Sequence, residues 1–220
     1  MNVKIVERGE NEVTIVLSGV KVRFANALRR AMIAEVPKLA IDEVTFQYNN
    51  SLLYDEQLAL RLAMIPLKTD DLSMYSAEDQ ISLTLKAESP ERAGYTMVYS
   101  KELISSDPHV EPAFDNIPLV KLISTEREIS GMRSVAGQKL SFEAIARKGI
   151  GKEHAKWQPV TACGFKELQD SSSTKNKANE TQISITVEGD GSVPVDDIVT
   201  EAARIMREKC EMIVEELTSQ

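Results

Sequence analysis

The sequence predicts an α+β fold, because two kinds of apolar spacing occur in one chain of 220 residues. Period-two alternation, which is typical of strands, recurs in short segments such as residues 13–17 and 81–87. Helical spacing dominates two longer segments near the ends of the chain, residues 22–36 and 194–217.

The predicted strands follow apolar positions at every second residue, so that one face of each strand is apolar. The first two strands form a hairpin with its turn near Gly9. The spacing also allows residues 95–99 to pair with residues 81–87, and three prolines mark an irregular segment beyond them. In chain order the predicted strands are residues 3–6, 13–17, 44–48, 81–87, 95–99, 139–146 and 183–187.

Three helices are predicted from helical spacing and from residues that start or stop helices. The first covers residues 22–36 and ends before a proline, since the residue preceding proline is disfavoured in the helical region. The second is short and lies between Asp55, which can cap its N-terminus, and Pro66. The last covers residues 194–217, and its opening proline suits the first helical turn.

The first and last helices each carry an apolar stripe. At a rise of 1.5 Å per residue the last helix is roughly 35 Å long, which is more than one small sheet usually covers. Part of its stripe is therefore a candidate contact with another chain, although an ordinary core stripe explains the same pattern. The stripes include Phe24, Leu28 and Met32 in the first helix and Ile198, Ala202, Ile205, Met206, Ile213 and Leu217 in the last.

Basic residues gather at two places in an otherwise acidic chain. Arg23, Asn26 and Arg30 share the face of the first helix opposite its apolar stripe. Arg29 lies among apolar neighbours, so it either extends its charged end into solvent or meets an acidic partner. The second place is the segment 147–157, which is either a solvated loop or a docking site for an acidic partner. It carries Arg147, Lys148, Lys152 and Lys156 around Trp157, which would be the anchor of a docking site.

Composition and charge exclude several classes of function. A formal net charge of −8 argues against binding a nucleic-acid backbone through the overall field of the protein. No apolar segment is long enough to span a membrane and no signal peptide is evident, so we expect a soluble, cytoplasmic protein. The two cysteines are too few for a disulfide framework or a four-cysteine metal site, and we expect no metal and no cofactor.

Two weaker alternatives remain open at this stage. A free RNA-binding module would use the basic segment 147–157 and would bind with steep salt dependence. A small thiol hydrolase would pair Cys163 with His154, although no local pattern around either residue indicates a nucleophile. The glycines near residue 150 lack the spacing of a phosphate-binding P-loop.

Three collinear motifs carry a resemblance to a known family. Residues 22–36 contain Asn-Ala-Leu-Arg-Arg, residues 43–67 end in Arg-Leu-x-x-Ile-Pro-Leu, and residues 147–160 contain Gly-x-Gly-Lys-Glu-His-Ala-Lys-Trp. In this order and spacing the chain resembles the alpha-like assembly subunits of cellular RNA polymerases, most closely the archaeal D subunits. The likeness covers residues 1–66 and 137–218 well and the middle only loosely.

The resemblance implies a domain organisation. Residues 1–45 and 180–220 would form a discontinuous dimerisation domain of the alpha-subunit type, a small antiparallel sheet with two packed helices. Residues 46–168 would form an inserted, mostly β domain, and residues 169–179 would be a polar linker. Many archaeal D subunits carry an iron–sulfur insertion at the place of this linker. This sequence has no CxxC motif, so the resemblance predicts that the insertion is missing.

The resemblance also implies partners and a role. The two helical stripes would pair with the small alpha-like subunit L. The residues that would face the second-largest catalytic subunit are Arg23, Asn26, Arg30, Lys152, His154, Lys156 and Trp157. Small zinc-binding subunits, N and P, would dock on the same platform. The chain would then be a non-catalytic scaffold for the assembly of DNA-directed RNA polymerase.

Overall fold

A computed structural model describes residues 1–129, 132–168 and 182–219. The chain divides into two compact units, of which the first comprises Met1–Lys38 and Ile150–Gln220 and the second Leu39–Gly149. Antiparallel sheets and helices occur together, which confirms the predicted α+β class. In chain order the elements are β1 (Asn2–Arg8), β2 (Glu12–Ser18), α1 (Val22–Ala34), β3 (Pro37–Asn49), α2 (Asp55–Ala63), β4 (Leu67–Thr69), β5 (Ile81–Glu88), β6 (Gly94–Tyr99), β7 (Ile104–Ser105), β8 (Val110–Pro112), β9 (Pro118–Ile129), β10 (Met132–Ala136), β11 (Lys139–Ile150), β12 (Val160–Leu168), β13 (Gln182–Gly189) and α3 (Val195–Thr218).

The first unit is a four-stranded antiparallel sheet with two helices. The strand order is β1-β2-β13-β12. Alternate residues of β2 and β13 are buried, and α1 and α3 pack on them because both helices present apolar residues at helical spacing. The core side chains of this unit come from β2 (Val13, Ile15, Leu17), β13 (Ile183, Ile185, Val187), α1 (Ala25, Leu28, Ala31, Met32) and α3 (Val195, Ile198, Ala202).

The outer strand β1 differs from the rest of this sheet. All of its residues are exposed, although Val3 and Ile5 lie opposite the buried Leu17 and Ile15 of β2. The pairing shifts between Ile5 and the next paired residue, which leaves one residue of β1 as a β-bulge. The helices therefore cover the centre of the sheet and leave this edge uncovered.

The observed bounds of the first unit correct the predicted domain bounds. Strand β12 was expected in the inserted domain, which was predicted to extend to residue 168. It instead pairs along its length with β13, and this places it in the same sheet as the N-terminal hairpin. The boundary was predicted from the polar segment between β12 and β13, but these consecutive strands pair as a hairpin and so belong to one sheet. That segment, residues 169–179, lies outside the described residues.

The second unit contains three small sheets and one short helix. Its largest sheet has the strand order β3-β11-β5-β7, beside a three-stranded sheet, β10-β9-β6, and the pair β4-β8. Helix α2 buries Leu58 and Leu62 in the core of this unit. The largest buried side chain of the core is Phe142 of β11, which lies opposite Leu85 of β5.

Most predicted elements are confirmed, but one predicted pairing is wrong. Each predicted strand lies within an observed strand, and the first and last helices agree with prediction to within two residues. Strand β6, however, pairs with β9 and not with β5, whose neighbours are β11 and β7. Strand β9 begins at Pro118, in the segment that was expected to be irregular. Helix α2 is capped by Tyr54, so that Asp55 is its first residue.

Candidate protein–protein interface

The N-terminal half of α3 is a core element of the first unit. Val195, Ile198 and Ala202 are spaced three and four residues apart, so they share one face of the helix. All three are buried, and Ile198 and Ala202 are 0% exposed. This half of α3 contacts α1 and strands β2 and β13.

In the C-terminal half of α3 the same apolar stripe is exposed to solvent. Every described residue from Lys209 onward is exposed. Ile213 and Leu217 continue the helical spacing of the buried stripe but are 58% and 73% exposed. We call the segment Lys209–Ser219 the distal half of α3, and Val195–Glu208 the proximal half. An exposed apolar face of this kind is typical of a contact with another chain.

The predicted interface residues fall into three groups. Ile205 and Met206 are half-buried at the junction of the two halves of α3. Phe24, Ile213 and Leu217 are exposed. The other four are buried in the core of this chain and cannot supply contact area to a partner, so their assignment to an interface is wrong: Leu28, Met32, Ile198 and Ala202.

Two exposed apolar residues that flank this face were not predicted from the sequence. Met212 and Val214 are 60% and 59% exposed, beside Ile213. The signal that could have identified them is a run of three apolar residues among glutamates, which an ordinary amphipathic helix does not require.

Ion pairs hold the proximal half of α3 in place. Arg8 of β1 pairs with Asp196 in the first turn of α3. At the boundary between the two halves, Lys209, the first residue of the distal half, pairs with Glu35, the C-cap residue of α1. Surface ion pairs of this kind contribute little to stability, about 1 kcal/mol or less each. Their positions nevertheless mark where the packed part of the helix ends.

A loop at the C-terminal end of α1 carries the second candidate surface. The backbone N–H of Lys152 donates to the carbonyl oxygen of Ala34 at 2.8 Å. A Cβ atom at Gly151 would overlap the carbonyl oxygen of Ile33 and lie 2.8 Å from Cγ of Gln158. The loop therefore approaches the end of α1 so closely that only glycine fits at this position.

The basic residues of α1 and of this loop differ in their contacts. Arg23 and Arg30 on α1, and Lys152 on the loop, are exposed and have no acidic partner within the described ranges. The ammonium of Lys156 lies 4.4 Å from the centroid of the Trp157 ring, in a cation–π contact between two half-buried side chains. Nδ1 of exposed His154 accepts a hydrogen bond from the backbone of Lys156.

Asn26 and Arg29 of α1 form hydrogen bonds with each other. Asn26 Oδ1 accepts hydrogen bonds from Nε and Nη2 of Arg29, at 3.3 and 3.2 Å. Arg29 is half-buried, and its partner is a neighbour on its own helix, which was not among the alternatives considered from the sequence. Asn26 is therefore engaged within the chain, whereas Arg23 and Arg30 are available to a partner.

A buried ion pair orders the turn that precedes α3. Lys38 is 3% exposed, and its ammonium pairs with Asp190 in the turn between β13 and α3. The other carboxylate oxygen of Asp190 accepts from the backbone N–H of Ser192 at 3.0 Å. Gly191 lies between them at a φ of 86°, a left-handed conformation that glycine adopts without strain. A buried lysine without this partner would be costly, so the pair fixes the start of α3.

The thiol of Cys163 is unsuited to catalysis. It lies on β12, partly buried against the core of the first unit. Burial raises its pKa to about 11, with only a small opposing effect from Arg29. The thiol is therefore protonated at neutral pH and is a poor nucleophile. Both Cys163 and His154 are described, and no hydrogen bond joins them.

The described residues also bear on two other classes of site, a membrane span and a metal centre. Among them, no helix is both long enough and apolar enough to cross a bilayer. The same residues contain no group of three or more His, Cys, Asp or Glu side chains that could hold a metal ion.

The sequence matches a known protein family and several of its members. Residues 14–210 match the family described as the RNA polymerase Rpb3/Rpb11 dimerisation domain. DNA-directed RNA polymerase subunit Rpo3 of Methanosarcina mazei is 46% identical over 180 residues, covering 76% of this chain and 61% of that relative. Rpo3 of Pyrococcus horikoshii is 45% identical over 164 residues, covering 72% of this chain and 57% of the relative.

A third relative has a similar identity and coverage. Rpo3 of Thermococcus kodakarensis is 47% identical over 161 residues, covering 71% of this chain and 56% of the relative. The chain thus spans between 56% and 61% of the length of these relatives. Because the family match extends over most of the sequence, the chain belongs to the RNA polymerase Rpb3/Rpb11 dimerisation-domain family.

Proposed function

We propose that the chain is a non-catalytic subunit of DNA-directed RNA polymerase that acts as an assembly platform. Its membership of a dimerisation-domain family supports this proposal, as do relatives that are themselves polymerase subunits. The observation that carries the proposal is the apolar stripe of α3, which is buried in the proximal half and exposed in the distal half. Catalysis would take place in other subunits of the complex.

The first partner in this proposal is the small alpha-like subunit, which is subunit L in archaea. It would cover the distal half of α3, because four large apolar side chains there have no neighbour to cover them within the described residues. Obligate subunit interfaces bury roughly 2,000 Å² or more and are more apolar than transient ones. Phe24 on α1 is exposed, and Ile205 and Met206 are half-buried. These three residues would extend the contact from the distal half of α3 toward the core of the first unit.

Co-expression tests this pairing. The chain and the small alpha-like subunit of the same organism should co-purify as a 1:1 heterodimer by size-exclusion chromatography with light scattering. Ile213→Asp should abolish the heterodimer, because an unpaired charge in an apolar interface is very costly. Ile104→Asp is the matched control, since Ile104 is also exposed, at 69% against 58% for Ile213, but lies in the second unit.

Two results would contradict the pairing. Heterodimer recovered at wild-type yield from Ile213→Asp would show that the distal half is not the interface. A stable wild-type monomer with no affinity for the small subunit would refute the proposed function itself.

The second partner in this proposal is the second-largest catalytic subunit. Exposed Arg23, Arg30 and Lys152 would select it by charge complementarity. His154, Lys156 and Trp157, on the same loop as Lys152, would contribute to the contact. Asn26 would hold Arg29 in place by their hydrogen bonds. The loop contacts the C-terminal end of α1, which supports treating Arg30 and the loop residues as one surface, while Arg23 lies in the first turn of the same helix. The zinc-binding subunits N and P are proposed as further partners on the basis of family membership alone.

Arg30→Ala tests the second contact. It should leave the heterodimer intact and reduce capture of the second-largest subunit by about fivefold, as expected for one charge at the rim of an interface. Arg92→Ala, an exposed arginine of the second unit, is the matched control. Equal capture by both variants and the wild type in a pull-down assay would remove Arg30 from the docking surface.

A further inference from the structure

The distal half of α3 combines its apolar face with a charge pattern that restricts which helix can cover it. We propose that the partner presents an amphipathic helix whose apolar face is bordered by lysine or arginine along the side that meets Glu216. This inference rests on the proposed function and specifies the chemistry of the partner at that same surface.

The first support is an excess of acid that the chain does not neutralise. Residues 208–219 contain four glutamates and one lysine. Two of the glutamates have partners on the same helix, since Glu208 pairs with Arg204 and Glu211 with Arg207. The lysine pairs with α1. Within the described ranges, the other two glutamates of this segment, Glu215 and Glu216, have no ion pair.

The second support is the position of these glutamates at the C-terminal end of a helix. The helix dipole places negative potential at this end, so that acidic residues there are unfavourable and basic residues favourable. The last turn of α3 contains no basic residue. Glu215 and Glu216 are therefore held in an unfavourable potential, which a cation supplied from outside the chain would relieve.

The third support is helical geometry. At about 100° per residue, Glu216 lies about 80° from the line through Ile213 and Leu217, at the border of that stripe, and exposed Met212 lies beyond it on the same side at about 120°. Glu215 lies about 180° from that line, on the opposite side of the helix. A helix that covers the apolar face would bring its border residues beside Glu216 and leave Glu215 in solvent.

Glu216→Lys and Glu215→Lys form a matched pair for the experiment. Both change the net charge of the chain equally, in the same exposed turn of the same helix, so they have the same effect on the helix dipole. The affinity of each for the small alpha-like subunit is measured by titration at about 0.05 M and 0.5 M salt. Circular dichroism checks that both variants remain folded.

Glu216→Lys should weaken binding about tenfold at low salt and about twofold at high salt, since salt screens charges at the rim of an interface. Glu215→Lys should weaken it by less than about twofold, because its charge remains distant from the partner. If the wild type binds and the two variants bind alike, the proposed basic border is wrong while the proposed function stands. If the wild type does not bind, both are wrong.

Discussion

The proximal and distal halves of α3 carry one apolar stripe into two different environments. Ile198 in the proximal half is fully buried under the sheet of its own chain, whereas Ile213, on the same stripe, is 58% exposed. Both halves have the same apolar spacing, and both carry more acidic than basic residues. The difference shows that periodicity identifies which face of a helix is apolar, but the length of the neighbouring sheet decides how much of that face is covered.

The largest expected effect is on stability and separates the two halves directly. Ile198→Ala should destabilise the isolated chain by about 2–5 kcal/mol, because it removes buried methyl groups and leaves a cavity. Ile213→Ala should change the free energy of unfolding by less than about 0.5 kcal/mol, because the side chain is exposed. Denaturant unfolding of the two variants measures both values. Equal destabilisation would mean that the distal half is covered within the chain.

A smaller effect is expected in the reactivity of the two cysteines. Cys210 lies on the exposed stripe, whereas burial of Cys163 raises its pKa to about 11 and leaves little reactive thiolate at pH 8. Cys210 should therefore be alkylated at least about tenfold faster than Cys163, as measured by mass spectrometry of peptides. The rate at Cys163 should rise with pH up to about 11, since only the thiolate reacts.

The small alpha-like subunit provides the control for this measurement. Its addition should slow the alkylation of Cys210 and leave that of Cys163 unchanged. If Cys210 reacts equally fast in the presence of a bound partner, then the partner covers some other surface.

Local signals explain what could be predicted from the sequence. Helices α1 and α3 and the strands with clear alternation follow from the spacing of their own residues, and a proline marks the end or start of each helix. Pairing partners do not follow from such signals. Strand β6 pairs with β9 across a segment of three prolines, and β12 joins the first unit through a hairpin around a polar segment. Both depend on residues that are distant in sequence or without periodicity.

The candidate site was predictable to a similar extent. The exposed arginines of α1 and the glycine-rich loop were identified from residue type and spacing, and the structure brings the loop to the end of α1. The burial of Leu28 and Met32 could not be predicted, because a stripe has the same appearance against a sheet of its own chain or against a partner. The pair between Lys38 and Asp190 joins residues that are distant in sequence, and no local pattern indicates it.

The bulge in β1 has a consequence for how copies of the chain meet. An exposed strand at the edge of a sheet can template further strands, and long regular edges promote fibrils. The bulge interrupts the edge strand β1. The charged residues of β1, Lys4, Glu7 and Arg8, would be brought against an incoming strand. An excess of the chain should therefore cluster through its uncovered helix into small soluble particles, which free partner could still take apart, rather than grow as amyloid.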